Sequence, residues 1–135
     1  MHRIIMGVIA CWALIGLFTT TANAEKAATV TKMLVEQFMG ALKARDLEGV
    51  MICVDVPWVH KEGVIQDRQE LKKYFKQMLA ARDFSQMTYE IEQMKYDDSK
   101  GEYLVHLKVS KGGADEFIAR VRYRGGDHKV VSFWH

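Results

Sequence analysis

Apolar residues recur at three- and four-residue intervals from Thr29 onward, at Val30, Leu34, Phe38, Ala41 and Leu42. That spacing marks one face of an amphipathic helix running to about Ala44. Asp46 can cap a second, short helix whose apolar stripe is Leu47, Val50, Met51 and Val54, with Pro57 stopping it because the residue before a proline is pushed toward extended geometry. Trp58-Val59-His60 and Val64-Ile65-Gln66 read as two strands joined through Lys61-Glu62-Gly63, where glycine suits a positive φ. Asp67 and Glu70 have the spacing of a capping box, and the helix they open carries Leu71, Tyr74, Phe75, Met78 and Leu79 on one face and ends near Ala81.

Beyond Ala81 the period changes from helical to alternating. Met87, Tyr89 and Ile91 form one face of a first strand, Tyr103, Val105, Leu107 and Val109 of a second, and Phe117, Ala119, Val121 and Tyr123 of a third. A last strand runs from Lys129 to His135, and the turns between strands are rich in Gly, Asp and Ser. The predicted class is α+β in the order α-α-β-β-α-β-β-β-β: three helices packed on a strongly curved, mainly antiparallel six-stranded sheet. Neither layer can hide its apolar side from water alone, and a sheet that curls under its helices encloses a hollow.

The chain opens differently. Met1-His2-Arg3 is followed by an uncharged apolar run, Ile4 to Phe18, then Thr19-Thr20-Thr21 and Ala22-Asn23-Ala24. This is the pattern of a secretory signal peptide cleaved near Ala24, which makes residues 1–24 the signal and 25–135 the domain, and implies a secreted or periplasmic location. The run is short for a permanent membrane anchor. Val8-Ile9-Ala10-Cys11 also loosely resembles a lipobox, with Cys11 as its alternative lipidated residue. Loss of Arg3 with the signal leaves 18 basic and 17 acidic side chains, a balance that offers no electrostatic reason to expect a nucleic acid as partner. Cys11 leaves as well, so Cys53 stands alone in an apolar run as a small buried hydrophobe, and no internal disulfide can form.

The element order resembles the cone-shaped, cystatin-like fold of the nuclear transport factor 2-like superfamily, which includes ketosteroid isomerases and polyketide cyclases of the SnoaL type. Phe38-Met39-Gly40-Ala41-Leu42-Lys43-Ala44-Arg45-Asp46-Leu47-Glu48-Gly49-Val50 looks like the family's passage from first to second helix, and Lys129-Val130-Val131-Ser132-Phe133 like its final strand. The resemblance implies a fold more strongly than an activity. In the isomerases a tyrosine on the first helix and a protonated aspartic acid on a late strand hold the oxyanion, while an aspartate on the first hairpin moves the proton. Here those positions fall at Phe38, at Ala119 and at His60 or Lys61. Phe38 and Ala119 have nothing to donate to an oxyanion; a one-residue slip would instead place Arg120 inside.

Three groups of residues are candidates for function. His60, on the first hairpin at the rim where such a fold admits ligands, could act as a hydrogen-bonding group or general base. Phe38, Trp58, Tyr74, Tyr89, Phe117 and Phe133 should converge between helices and sheet, with His135 facing the same interior as Val131 and Phe133; together with His60 they are the candidate lining for a small apolar ligand. On the other sheet face, Leu104, Ile118, Val130 and Trp134 lie among Arg120 and other charges, which points to a covered surface and a homodimer centred on Leu104, Ile118, Arg120 and Trp134. No third ligand accompanies His60 and His135 at metal-site spacing, and no cofactor fingerprint is present, so neither metal nor cofactor is expected. The expected function is an exported domain that binds a small apolar molecule or a protein partner in its cone. The alternatives are a SnoaL- or isomerase-type enzyme, with His60 as base and His135 or Tyr74 polarising the substrate, and a dimerisation module whose cone is packed shut.

Overall fold

The two helix caps read from the sequence form as expected. Asp46 accepts the Gly49 N–H at 3.0 Å and opens helix α2 (Leu47–Cys53), and Asp67 accepts the Gln69 N–H at 2.7 Å and opens helix α3 (Arg68–Ala81). The computed structural model describes residues 24–110, 114–124 and 127–134; the signal-peptide and lipobox residues before 24, and His135, lie outside these. The chain divides into two compact units, residues 1–30 and 31–135. The described part of the first is helical over 24–30. The second begins with helix α1 (31–43) and holds every other element.

Helix α1 ends where Arg45 takes φ 54°, with Arg45 N–H donating to the Leu42 carbonyl and Asp46 N–H to that of Ala41. This is the left-handed helix stop usually given to glycine. The buried stripe of α1 is Val35, Phe38, Met39, Ala41 and Leu42; it is rotated from the expected one, leaving Leu34 half-buried. In α2 the buried residues are Val50, Met51 and Cys53. Val54 belongs not to that helix but to strand β1 (Val54–His60), which runs through Pro57. The proline is tolerated because β1 bulges there: Val54 pairs with Val130 and Val59 with Ser132, so β1 spends three more residues than its partner between those points.

Strands β2 (Gly63–Ile65), β3 (Thr88–Asp97), β4 (Glu102–Ser110), β5 (Ala114–Arg124) and β6 (Asp127–Trp134) complete a six-stranded sheet of order β2-β1-β6-β5-β4-β3. All pairs are antiparallel except β1 with β6. The three helices pack on this curved mixed sheet, an α+β cone with the element order expected from the sequence. Tyr103, Val105, Leu107, Val109, Ala119 and Val121 are buried on the helix side, while Leu104, His106, Ile118 and Arg120 alternate with them on the other.

One face assignment is corrected. The register between β5 and β6 shifts after Arg120, so that Arg120 pairs with Ser132 and Val121 with Val130. Val130 is therefore a fully buried inner residue, and Val131 turns to the outer face beside Trp134. A single bulged residue is enough to reverse a strand's alternation.

Candidate functional site

Strand β1 delivers alternate side chains inward, and its last three residues pass from core to rim. Trp58 is 1% exposed and meets Phe38 from α1 at 6.5 Å and Phe75 from α3 at 5.0 Å between ring centroids. Phe38 also meets Phe75 at 6.2 Å and Phe133 at 5.4 Å. These tilted and edge-on contacts bury both rings, so Phe38 and Trp58 form a packed floor and not the wall of a cavity. The positions that correspond to the isomerase oxyanion donors, Phe38 and Ala119, are both fully buried apolar residues. Arg120 lies on the opposite face, in register with Leu104 on one side and Ser132 on the other, so no register slip brings it inside.

Two residues beyond Trp58, His60 stands at the rim. Its imidazole lies 5.3 Å from the Tyr74 ring, and its Nδ1 accepts the Glu62 N–H at 3.3 Å. Above the floor opens a cavity of about 510 Å³, walled by His60, Tyr74, Met78, Phe84, Phe117, Phe133 and Trp134, with Lys61, Glu62, Gln77, Ala81 and Arg82 around its edge. Phe117 and Phe133, on neighbouring strands, stack at 4.9 Å with planes 18° apart. Of the predicted lining residues, His60, Tyr74, Phe117 and Phe133 thus meet at one mouth. Tyr89 lies apart from it, in a shallow depression with Thr88, Glu90, Lys108 and Ser110.

The polar groups here are incompletely paired. The buried Trp58 Nε1 has no hydrogen-bond partner, although the Tyr74 oxygen is close enough to feel it. Burial pushes the Tyr74 phenol above its ordinary value, the Trp58 N–H and then Arg82 pull it back, and Glu62 raises it. Met78, Phe84, Gln77 and Arg82 were not among the predicted lining residues. The available signal was the one-turn spacing of Tyr74, Met78 and Ala81 along α3, beside the buried positions Leu71, Phe75 and Leu79.

The opposite end of β1 was not legible as a site at all. The Asp55 carboxylate accepts from Arg122 Nη2 at 2.7 Å, from the Val56 N–H at 2.8 Å and from Arg68 Nη1 at 3.3 Å. Arg68 also donates to the carbonyls of Val54 and Met51, Arg122 to that of Val56, and Lys129 to that of Ile52. Three cations thereby satisfy the open carbonyls where α2 ends and β1 begins. Burial pushes Asp55 up, but the hydrogen bonds from Arg122, Val56 and Arg68 and the charge of Arg122 outweigh it and hold the carboxyl below its ordinary range. Cys53 is fully buried beside this junction; burial pushes its thiol up, with Lys129 opposing.

The predicted dimer residues do share the outer face: Leu104 pairs with Arg120, and Ile118 with Trp134. Next to them runs a groove of about 430 Å³ lined by Pro57, Val59, Val131 and Trp134 together with Lys100, Glu102, Arg120 and Arg122. Arg120 lies 3.7 Å from Glu102. Among the described residues no cluster of three His, Cys, Asp or Glu side chains is placed to hold a metal ion, and no helix is long and apolar enough to cross a membrane.

No family model matches the chain, and no curated protein matches it. Solved structures do. A nuclear transport factor 2-like protein of unknown function from Pseudomonas putida superposes with a TM-score of 0.59 at 16% identity, covering 81% of this chain and 84% of that one. A protein with a cystatin-like fold from Nostoc punctiforme gives 0.56 at 17% identity over 78% and 86%. A protein from Sinorhizobium meliloti named as a candidate polyketide cyclase gives 0.52 at 14% identity over 74% and 90%. The chain is thus an α+β cone protein. Its fold is that of the nuclear transport factor 2-like superfamily.

Proposed function

We propose that the chain is an exported domain that holds a small apolar molecule in the mouth of its cone. The observation that carries this reading is the cavity of about 510 Å³ above a closed aromatic floor. Its size lies within the range of small-molecule sites, roughly 300–1,000 Å³, and its wall combines stacked rings with a few polar groups. A cone packed shut would leave no such space, which favours this reading over a purely structural module. Export rests on the signal-peptide pattern of residues 1–24.

Binding is favoured over proton abstraction because the Nδ1 lone pair of His60 is engaged by the Glu62 N–H, and a general base needs a free one. Native mass spectrometry of the protein purified from its own host tests the proposal. The expected spectrum shows a chain beginning at Glu25 that carries a small molecule released on denaturation. An empty chain that also fails to bind 8-anilinonaphthalene-1-sulfonate would overturn the binding reading, and a retained leader would overturn export.

The outer face supports a second, compatible proposal: a homodimer centred on Leu104, Ile118 and Trp134, with Arg120 and Glu102 at its edge. Half-buried Leu104, Ile118 and Trp134 share that face with Arg120, whose charge is met by Glu102 at 3.7 Å. Sedimentation should give a dimer that Ile118→Glu converts to a monomer; wild-type protein sedimenting as a monomer at high micromolar concentration removes the idea.

A further inference from the structure

The mouth is asymmetric in its chemistry, and that asymmetry selects among apolar ligands. One wall is hydrocarbon: the Phe117–Phe133 stack with Phe84 and Met78. The polar side carries more donors than acceptors. In a neutral imidazole one ring nitrogen accepts and the other carries the proton, so the Glu62 N–H held by His60 Nδ1 fixes the tautomer and leaves Nε2–H as the free donor of a residue that lines the cavity. The Tyr74 hydroxyl and the Gln77 amide can donate as well, and the charges at the edge are Lys61 and Arg82 against Glu62.

The C-terminal end of α3 faces the same edge through Ala81 and contributes about half a negative charge, which leaves the balance positive. At the Tyr74 phenol the lowering by Arg82 exceeds the raising by Glu62, in the same sense as that balance.

We propose that the ligand class of this mouth is an aromatic monocarboxylate, its ring against Phe117 and Phe133 and its carboxylate met by His60 Nε2–H and Arg82. The proposal rests on the binding reading above and narrows it. A carboxylate only accepts hydrogen bonds, so it complements His60 Nε2–H and the Arg82 guanidinium, which only donate; an ammonium group would find acceptors at Glu62, Tyr74 and Gln77 but would leave those two facing another donor. Arg82 and Lys61 are exposed, so each contributes a modest factor in affinity, while the rings supply most of the binding.

Calorimetric titration of the whole domain at pH 8 with three probes of one ring system tests this: 2-naphthoate, 2-naphthylmethanol and 2-naphthylmethylammonium. Naphthoate should bind tightest, about tenfold more tightly than the ammonium probe, and Arg82→Gln should weaken naphthoate by about threefold while leaving the alcohol unchanged. Equal affinity for all three overturns the carboxylate assignment and leaves the binding reading intact. Naphthoate preference that Arg82→Gln does not change overturns the placement of the carboxylate. No binding of any probe at millimolar concentration overturns both.

Discussion

The two ends of strand β1 are built for opposite purposes. At Val54–Val56 backbone carbonyls are met by guanidinium groups, and Asp55 sits between two arginines with its carboxylate hydrogen-bonded to both. At Trp58–His60, four residues further on, a buried indole N–H has only the Tyr74 oxygen near it, an imidazole is held by one backbone bond, and the space beyond is open. A saturated network locks its surroundings, because removing any member strands a charge or a carbonyl away from water. An unsaturated one over a cavity retains capacity for a ligand. The bulge at Pro57 separates the two, so one strand serves both a joint and a mouth.

Substitutions should divide along the same line. The largest loss is expected beneath the mouth: Phe75→Ala removes a fully buried ring that touches Phe38, Trp58 and Tyr74, and should cost about 3–5 kcal/mol in urea unfolding. At the joint, Asp55→Ala should cost about 2 kcal/mol at pH 7, because Arg122, only 15% exposed, loses its hydrogen-bonded carboxylate at 2.7 Å and keeps only Asp127 at 3.9 Å. Since the folded-state carboxyl of Asp55 is depressed, its stabilisation is complete above the unfolded value of about 3.9 and is lost as pH falls through the lower folded value. The gap between wild type and Asp55→Ala should accordingly narrow below about pH 4, and a gap unchanged at pH 2 would contradict the assignment.

Smaller effects sharpen the contrast. Arg45→Gly relieves a left-handed residue at the end of α1 and should stabilise by about 0.5–1 kcal/mol, read as a higher denaturant midpoint at constant slope. Tyr74→Phe at the mouth should change stability by less than about 0.5 kcal/mol while weakening the binding of naphthoate. If instead Tyr74→Phe destabilised as much as Asp55→Ala, the mouth would be structural and the distinction between the two ends would vanish.

The elements were legible because they follow from local rules. Period 3.6 and period 2 separate helices from strands, Asp46 and Asp67 announce their helices, and the α3 terminus at Ala81 falls where expected. His60, Tyr74, Phe117 and Phe133 were legible for the same reason, since each occupies an inward position of an element whose phase could be read. What escaped was non-local. The Arg68 and Arg122 clamps join residues 13 to 67 positions apart, largely through backbone carbonyls that have no sequence identity to read. Val54 left the helix for strand β1 by pairing with Val130, and the bulge at Val131 exchanged the faces of Val130 and Val131. The division of the aromatic residues into floor and wall depends on which rings meet in three dimensions. Phe38 and Trp58 look no different in sequence from Phe117 and Phe133.

The contrast between a locked joint and an open mouth is tested most directly by amide and side-chain chemical shifts during titration with 2-naphthoate. The expected shifts cluster at His60, Tyr74, Phe117 and Phe133 and leave Asp55, Arg68 and Arg122 unmoved. Shifts centred on Pro57, Val59 and Arg120 in the outer groove, with His60 and Tyr74 silent, would contradict it.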